Sequence, residues 1–188
     1  MERRTISAQA QEAARELTQV MDKLQDADLE RLMEELVTAK RIFTLGGGRE
    51  GLMVKAFSMR LMHLGKTVFW IWDDTTPSIG PGDVLLVATG SCTGGVLLHV
   101  TKMAKEHGAR VALITADDSG PVGPYADITA FVPAAAYLAK GDLVPTQQMM
   151  GSLFEQSLLL IFDSVASVLI DRLGETVQRT EARHRNVE

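Results

Sequence analysis

Five short apolar runs constrain this chain more than any other feature: RIFTLG (41–46), TVFWIW (67–72), DVLLVATG (83–90), ARVALITA (109–116) and ITAFVP (128–133). They are rich in Val, Ile and Phe and do not alternate with polar residues, so a strand built from any of them buries both faces. Strands of that kind belong to parallel sheets with helices above and below. Helical segments lie between them at 51–64 and 95–107, each closing on a glycine suited to a helix end, Gly65 or Gly108. Strand and helix in alternation predict an α/β fold, a three-layer α-β-α sandwich around a five-stranded parallel sheet. Residues 5–40 read as two helices, an N-terminal helical hairpin. Asp26 or Asp28 is placed to cap the second, along which Leu29, Leu32, Met33, Leu36 and Val37 recur at spacings of three and four.

The stretch Gly151–Leu173 raises a different possibility, because a membrane-spanning helix needs about 20 predominantly apolar residues. Glu155, Asp163, Asp171 and Arg172 interrupt it, and each charge near mid-bilayer costs about 2.5–3.5 kcal/mol. The alternative is a helix packed on several sides, in a core or at a subunit interface. Nineteen Lys+Arg against 24 Asp+Glu give a net charge of −5, which points to neither nucleic acid nor an anionic membrane as partner. A single cysteine makes no internal disulfide and no Cys/His cluster has zinc-site spacing. The expectation is therefore a reduced, cytoplasmic setting and no bound metal. The N-terminal MERRTISAQAQEAARELTQ lacks the apolar core of a signal peptide. One domain is expected over residues 1–188, with one or two helical turns at 120–126 and a frayed or exposed tail at 174–188. The irregular loop at 134–150 is long for a compact domain, which points to a functional role.

Ligands of open α/β sheets bind beyond the carboxyl ends of the strands, and three loops there carry small or turn-forming residues. They are Gly46-Gly47-Gly48-Arg49-Glu50-Gly51, Asp73-Asp74-Thr75-Thr76-Pro77-Ser78 and Thr89-Gly90-Ser91-Cys92-Thr93-Gly94-Gly95. Glycine lets backbone N–H groups approach an anion, hydroxyls add donors, and a helix N-terminus favours negative charge, so the third loop is a candidate phosphate cradle. The first contains G-x-G-x-x-G at Gly46, Gly48 and Gly51, with Asp73 and Asp74 about 25 residues beyond Gly48. That keeps a dinucleotide-binding domain open as an alternative.

The runs GGGREGLMVKAFSMRLMHLG, DDTTPSI, GDVLLVATGSCTGG and MGSLFEQSLLLIFDSV resemble the sugar-isomerase (SIS) domain family, and within it the 6-phospho-3-hexuloisomerase group. That group shows a G-x-G-R-S-G loop, an A-M-R-L-M-H-L-G helix end, an E-T-x-T-P loop, an S-G-S-G-x-T loop and a G-T-x-F-E helix start. The resemblance covers about residues 25–173, and RLMHLG is its most specific string. It implies a flavodoxin-like five-stranded sheet and a homo-oligomer, dimer or tetramer. The implied reaction is a ketose isomerisation, 3-hexulose 6-phosphate to fructose 6-phosphate, through an enediol and without a cofactor. Carried over by position, it makes Glu155 the base and His63 its assistant. Gly48, Arg49, Glu50, Thr75, Thr89, Gly90, Ser91, Cys92, Thr93 and Gly94 then line the sugar-phosphate site.

Three departures stand out: Glu50 replaces a Ser, Cys92 a Gly, and Gly94 the closing Thr. A carboxylate about 4 Å from a phosphate costs roughly 4 kcal/mol at an effective dielectric near 20, and a helix N-terminus returns only about 0.3–1 kcal/mol, at best about 2. Repulsion prevails unless Arg49 or Lys55 neutralises Glu50, or Glu50 points away. Two alternatives follow: a non-catalytic sugar or sugar-phosphate sensing module, or an isomerase with another substrate.

Plainer readings exist for the same residues. Ser152-Leu153-Phe154-Glu155 spells a capping box, with Glu155 bonding back to the helix start. His63 stands in a last helical turn, where the dipole favours imidazolium, and Arg60 shares its face. Cys92 at a helix N-terminus would have a lowered pKa, although it also suits a small loop position. Met53, Met59 and Met62 read as core.

Overall fold

All five apolar runs become strands in a computed structural model that describes residues 5–187. They are β1 (Arg41–Gly46), β2 (Val68–Trp70), β3 (Asp83–Ala88), β4 (Arg110–Thr115) and β5 (Ile128–Phe131). The helices are α1 (Ile6–Lys23), α2 (Asp26–Thr38), α3 (Gly48–His63), α4 (Gly95–Glu106), α5 (Ser152–Arg172) and α6 (Val177–Ala182), with a 3₁₀ turn at Gly123–Tyr125. The sheet is parallel throughout, in the order β2-β1-β3-β4-β5. That is the flavodoxin-like order and not the 3-2-1-4-5-6 of dinucleotide-binding domains. The G-x-G-x-x-G spacing has a packing cause instead. A Cβ on Gly51 would stand 2.7 Å from the Gly46 carbonyl oxygen, so the end of β1 and the start of α3 meet only as glycines.

Strand periodicity divides the core in two. Ile42, Val84, Leu86, Ala112 and Ile114 face α1, α2, α3 and α5, whereas Phe43, Leu45, Leu85, Val87, Val111 and Leu113 lie under α4. The three-layer sandwich and the N-terminal hairpin therefore form as expected. The cap of α2 does not: its N-cap is Gln25, without a side-chain bond. Asp28 instead pairs with Arg31 at 2.7 Å.

The apolar stretch supplies α5, which has the length and composition of a membrane span but is packed against the sheet and its neighbouring helices. Leu153, Phe154, Leu158, Ile161, Phe162, Val165 and Leu169 are buried, and Phe162 stacks on Phe57 of α3 with ring centroids 4.4 Å apart. The tail is exposed but not frayed. Thr176 caps α6 by accepting from Arg179 N–H, and Arg183 donates to the His63 carbonyl at 2.8 Å.

Loop 134–150 is fastened from outside the sheet by Glu16 of α1, which is 4% exposed. Its carboxylate accepts from Thr146 Oγ1 (2.6 Å), Gln148 Nε2 (2.8 Å) and the Gln147 N–H (3.0 Å). Burial opposes ionisation, but the bonds from Thr146, Gln148 and Gln147 outweigh it and hold the carboxyl below its usual pKa. The clasp is complete above the ordinary carboxylate range and is lost as pH falls through that lowered value. Glu16→Ala leaves these donors without their acceptor, at a cost of about 1–3 kcal/mol. Faster amide exchange across 134–150 in this variant is the expected result, and unchanged exchange would contradict it.

Candidate active site

Two loops leave the carboxyl end of the sheet at the β1/β3 switch point, where open sheets bind ligands. A crevice of about 560 Å³ lies between them, lined by Gly47, Gly48, Lys55, Trp70, Trp72 and Gly94 among others. On the floor of the second loop, Ser91 Oγ and Thr93 Oγ1 are 2.8 Å apart. They precede the α4 N-terminus, whose N-cap Gly94 makes no side-chain bond. Thr89 is buried, and its N–H donates to the Ile114 carbonyl.

The first turn of α3 carries a second cluster. Arg49 Nη1 lies 2.9 Å from Glu155 Oε2 and donates its hydrogen bond to Ser152 Oγ at 3.2 Å. The guanidinium charge is therefore paired with Glu155, yet Oε2 is a buried oxygen that no hydrogen bond from the described residues reaches. The capping box is overturned: the N-cap of α5 is Gly151, without a side-chain bond, and the Ser152 N–H donates to the Met149 carbonyl. The Glu155 carboxylate is thus directed to Arg49 and not to its own helix.

Neither expected counter-ion goes to Glu50, since Lys55 lies 3.6 Å from Asp73. Glu50 Oε1 instead accepts the Gly90 N–H at 2.9 Å, across 40 residues of chain. Burial and the nearby Glu155 carboxylate push its pKa up to about 7 against the pull of the Gly90 bond. Gly90 is confined as well: a Cβ there would stand 2.5 Å from Ala136 Cβ and 3.0 Å from Glu50 Oε1. Gly90→Ala is expected to cost about 1–3 kcal/mol through overpacking and to break the Glu50 bond. A calorimetric melt matching the wild type would contradict this.

Other expectations are corrected. The Cys92 side chain is fully buried against Thr115 Oγ1 at 3.2 Å, and burial raises its pKa instead of lowering it. Only its backbone, at φ 54° where the resembling loops have Gly, belongs to the cradle. Thr75 is exposed on the loop after β2 and, like Arg49, Glu50, Ser91, Thr93 and Glu155, lies outside the crevice lining. His63 is buried, and its pKa is lowered by burial, by His184 and by Arg60, so imidazolium is disfavoured there. Its ring stacks on His184 at 5.3 Å, and Arg60 faces Asp163 at 3.5 Å. It ends the 16-residue α3, roughly 22 Å from the Arg49 end at 1.5 Å per residue. Within one chain Glu155 and His63 do not meet. Met59 and Met62 are exposed, not core. The roles of Ser152 and Ala136 were not anticipated; the unusual length of loop 134–150 was the one sequence signal that pointed toward Ala136.

Residues 35–156 match the SIS domain family, and the chain belongs to it. It is 38% identical over 157 residues to a 3-hexulose-6-phosphate isomerase of Mycobacterium gastri, spanning 84% of this chain and 78% of that one. With a 3-hexulose-6-phosphate isomerase of Bacillus subtilis it shares 33% identity over 165 residues, 88% and 89% of the two chains. A crystal structure from Methanococcus jannaschii, described as inferring a molecular function of 3-hexulose-6-phosphate isomerase, aligns with a TM-score of 0.80 at 28% identity, over 95% and 98% of the two chains.

Proposed function

We propose that this protein is a sugar-phosphate isomerase that interconverts 3-hexulose 6-phosphate and fructose 6-phosphate through an enediol. The observation that carries the reading is Glu155. Its buried, hydrogen-bond-free Oε2 is held beside Arg49, which suits a carboxylate that takes a proton from one carbon and returns it to the next. The Ser91 and Thr93 hydroxyls and the backbone from Ser91 to Gly95 hold the phosphate, the Gly90 N–H being taken by Glu50, and the uncapped start of α4 adds N–H donors there. Arg49 orients Glu155 and supplies positive charge.

His63 assists only from a second copy, given its distance from Glu155 along α3. Exposed Leu52 and Met59 on α3, with Leu159 and Leu160 on α5, are apolar surface suited to a homodimer or homotetramer. The one cysteine is a buried free thiol, which suits a reducing cytoplasm.

The test is direct. Purified protein is incubated with 3-hexulose 6-phosphate, and formation of fructose 6-phosphate is followed. Turnover is expected, and its absence would overturn the reading in favour of a sensing module.

A further inference from the structure

An enediol isomerisation moves two protons, one between carbons and one between oxygens. Glu155 accounts for the first. The second asks for a group that gives and takes a proton near neutral pH, within reach of the same substrate. We propose that Glu50 is that second catalytic residue, carrying the proton between the two substrate oxygens while Glu155 carries the other between the carbons. The proposal rests on the isomerase reading above.

The geometry has three parts. Glu50 projects from the first turn of α3, its Oε1 and the ring of Phe154, the residue before Glu155, both border Gly90, and the Glu155 charge acts on it. Its Oε1 is fixed by the Gly90 N–H at 2.9 Å, while Oε2 makes no hydrogen bond or ion pair and the residue is only partly buried. Among the described residues no cation neutralises it, because Arg49 is committed to Glu155 and Lys55 to Asp73. The titratable groups that act on it are Glu155 from α5 and the Cys92 thiol from the phosphate loop. Its pKa of about 7 fits the task. Two carboxyls whose surroundings differ in this way divide acid and base work between them. Where the resembling loops carry Ser, this chain places a group that titrates.

The step balances without a co-reactant. The Glu155 carboxylate removes the C2 proton, and the C–H electron pair becomes the C2=C3 bond. The C3 carbonyl oxygen meanwhile receives the Glu50 proton. In the second half, Glu50, now ionised, accepts the proton of the C2 hydroxyl as the C2 carbonyl forms. C3 then receives from Glu155 the proton that C2 gave up.

Glu50→Gln keeps an acceptor for the Gly90 N–H but transfers no proton. Its kcat is expected to fall about 10²-fold or more with KM little changed, and the limb of the pH–rate profile near neutrality is expected to vanish. Glu50→Asp retains that limb at reduced kcat. A Glu50→Gln enzyme with wild-type kcat and an unmoved limb overturns the proposal and leaves the isomerase reading intact, whereas an inactive wild type overturns both. A carbon-13 titration of the wild-type glutamate carboxyls depends on no variant's folding. One carboxyl with a midpoint near neutrality is expected, and its absence overturns the proposal.

Discussion

Glu155→Gln is expected to lower the interconversion of 3-hexulose 6-phosphate and fructose 6-phosphate by about 10²–10⁴-fold, the range lost with a positioned general base. Gln has nearly the same shape, so the packing of the first α5 turn around Leu153 and Phe154 is retained. Arg49 keeps its bond to Ser152 Oγ. What disappears is the carboxylate whose Oε2 lies 2.9 Å from the guanidinium and which no hydrogen bond stabilises. The loss belongs in kcat, because the Ser91 and Thr93 end of the site is untouched. A variant that retains more than a tenth of wild-type kcat would remove Glu155 from the role of base.

The second large effect concerns stability and has the opposite sign. In the unfolded chain the Glu50 carboxyl ionises near 4.5, and in the folded chain at about 7. Below the lower value both states are protonated, and stability is unaffected. Between the two, the unfolded chain releases its proton first, so stability is lost as pH rises, and above about 7 the loss is complete. The gap between the two values is worth roughly 3 kcal/mol. A Gln at this position carries no charge to desolvate. Glu50→Gln is therefore expected to melt roughly 6–12 °C higher than the wild type near pH 8, with the advantage gone near pH 4. An equal advantage at both pH values would mean that the carboxyl's ionisation is not what costs stability. Together with lost turnover, the gain would mark Glu50 as a site where stability is given up for activity.

The sheet was legible in the sequence because burial on both faces leaves an unbroken apolar run: β1 coincides with its run, and β3 and β4 differ from theirs only at their ends. β2 was drawn too long, as TVFWIW, for a physical reason. It is an edge strand that pairs with β1 only along Ile42–Thr44; the Ile71 N–H makes a last bond to the Thr44 carbonyl, and the chain turns away from there. The site was legible in its residue types but not in its pairings. Arg49 stands next to Glu50 in the chain, and proximity assigned the two to each other. The fold instead gave Arg49 to Glu155 and Glu50 to Gly90. Both partners come from other elements, and local spacing carries no record of such contacts. The capping box failed similarly: Ser152 and Glu155 have the right interval, but a guanidinium from α3 draws both away from the helix end. His63 shows the remaining limit. Its place in the last turn of a helix that begins at the site was legible, yet the motif set it beside Glu155 although the length of α3 keeps the two apart.

Glu16 also sets what a transplanted version of this domain would need. The loop whose Ala136 abuts Gly90 is tied down by a carboxylate on α1, and α1 lies wholly before the family-matched residues 35–156. A chimera built from the matched segment alone would inherit the strands and the glycine turns but lack the brace that orders the loop over them, along with most of α2 and the buried part of α5 beyond Gln156. The hairpin is thus core and brace at once: Val20, Leu32, Met33 and Leu36 are buried in it, and it is the Glu16 contact alone whose replacement would change the rigidity of the loop without altering a residue that touches substrate.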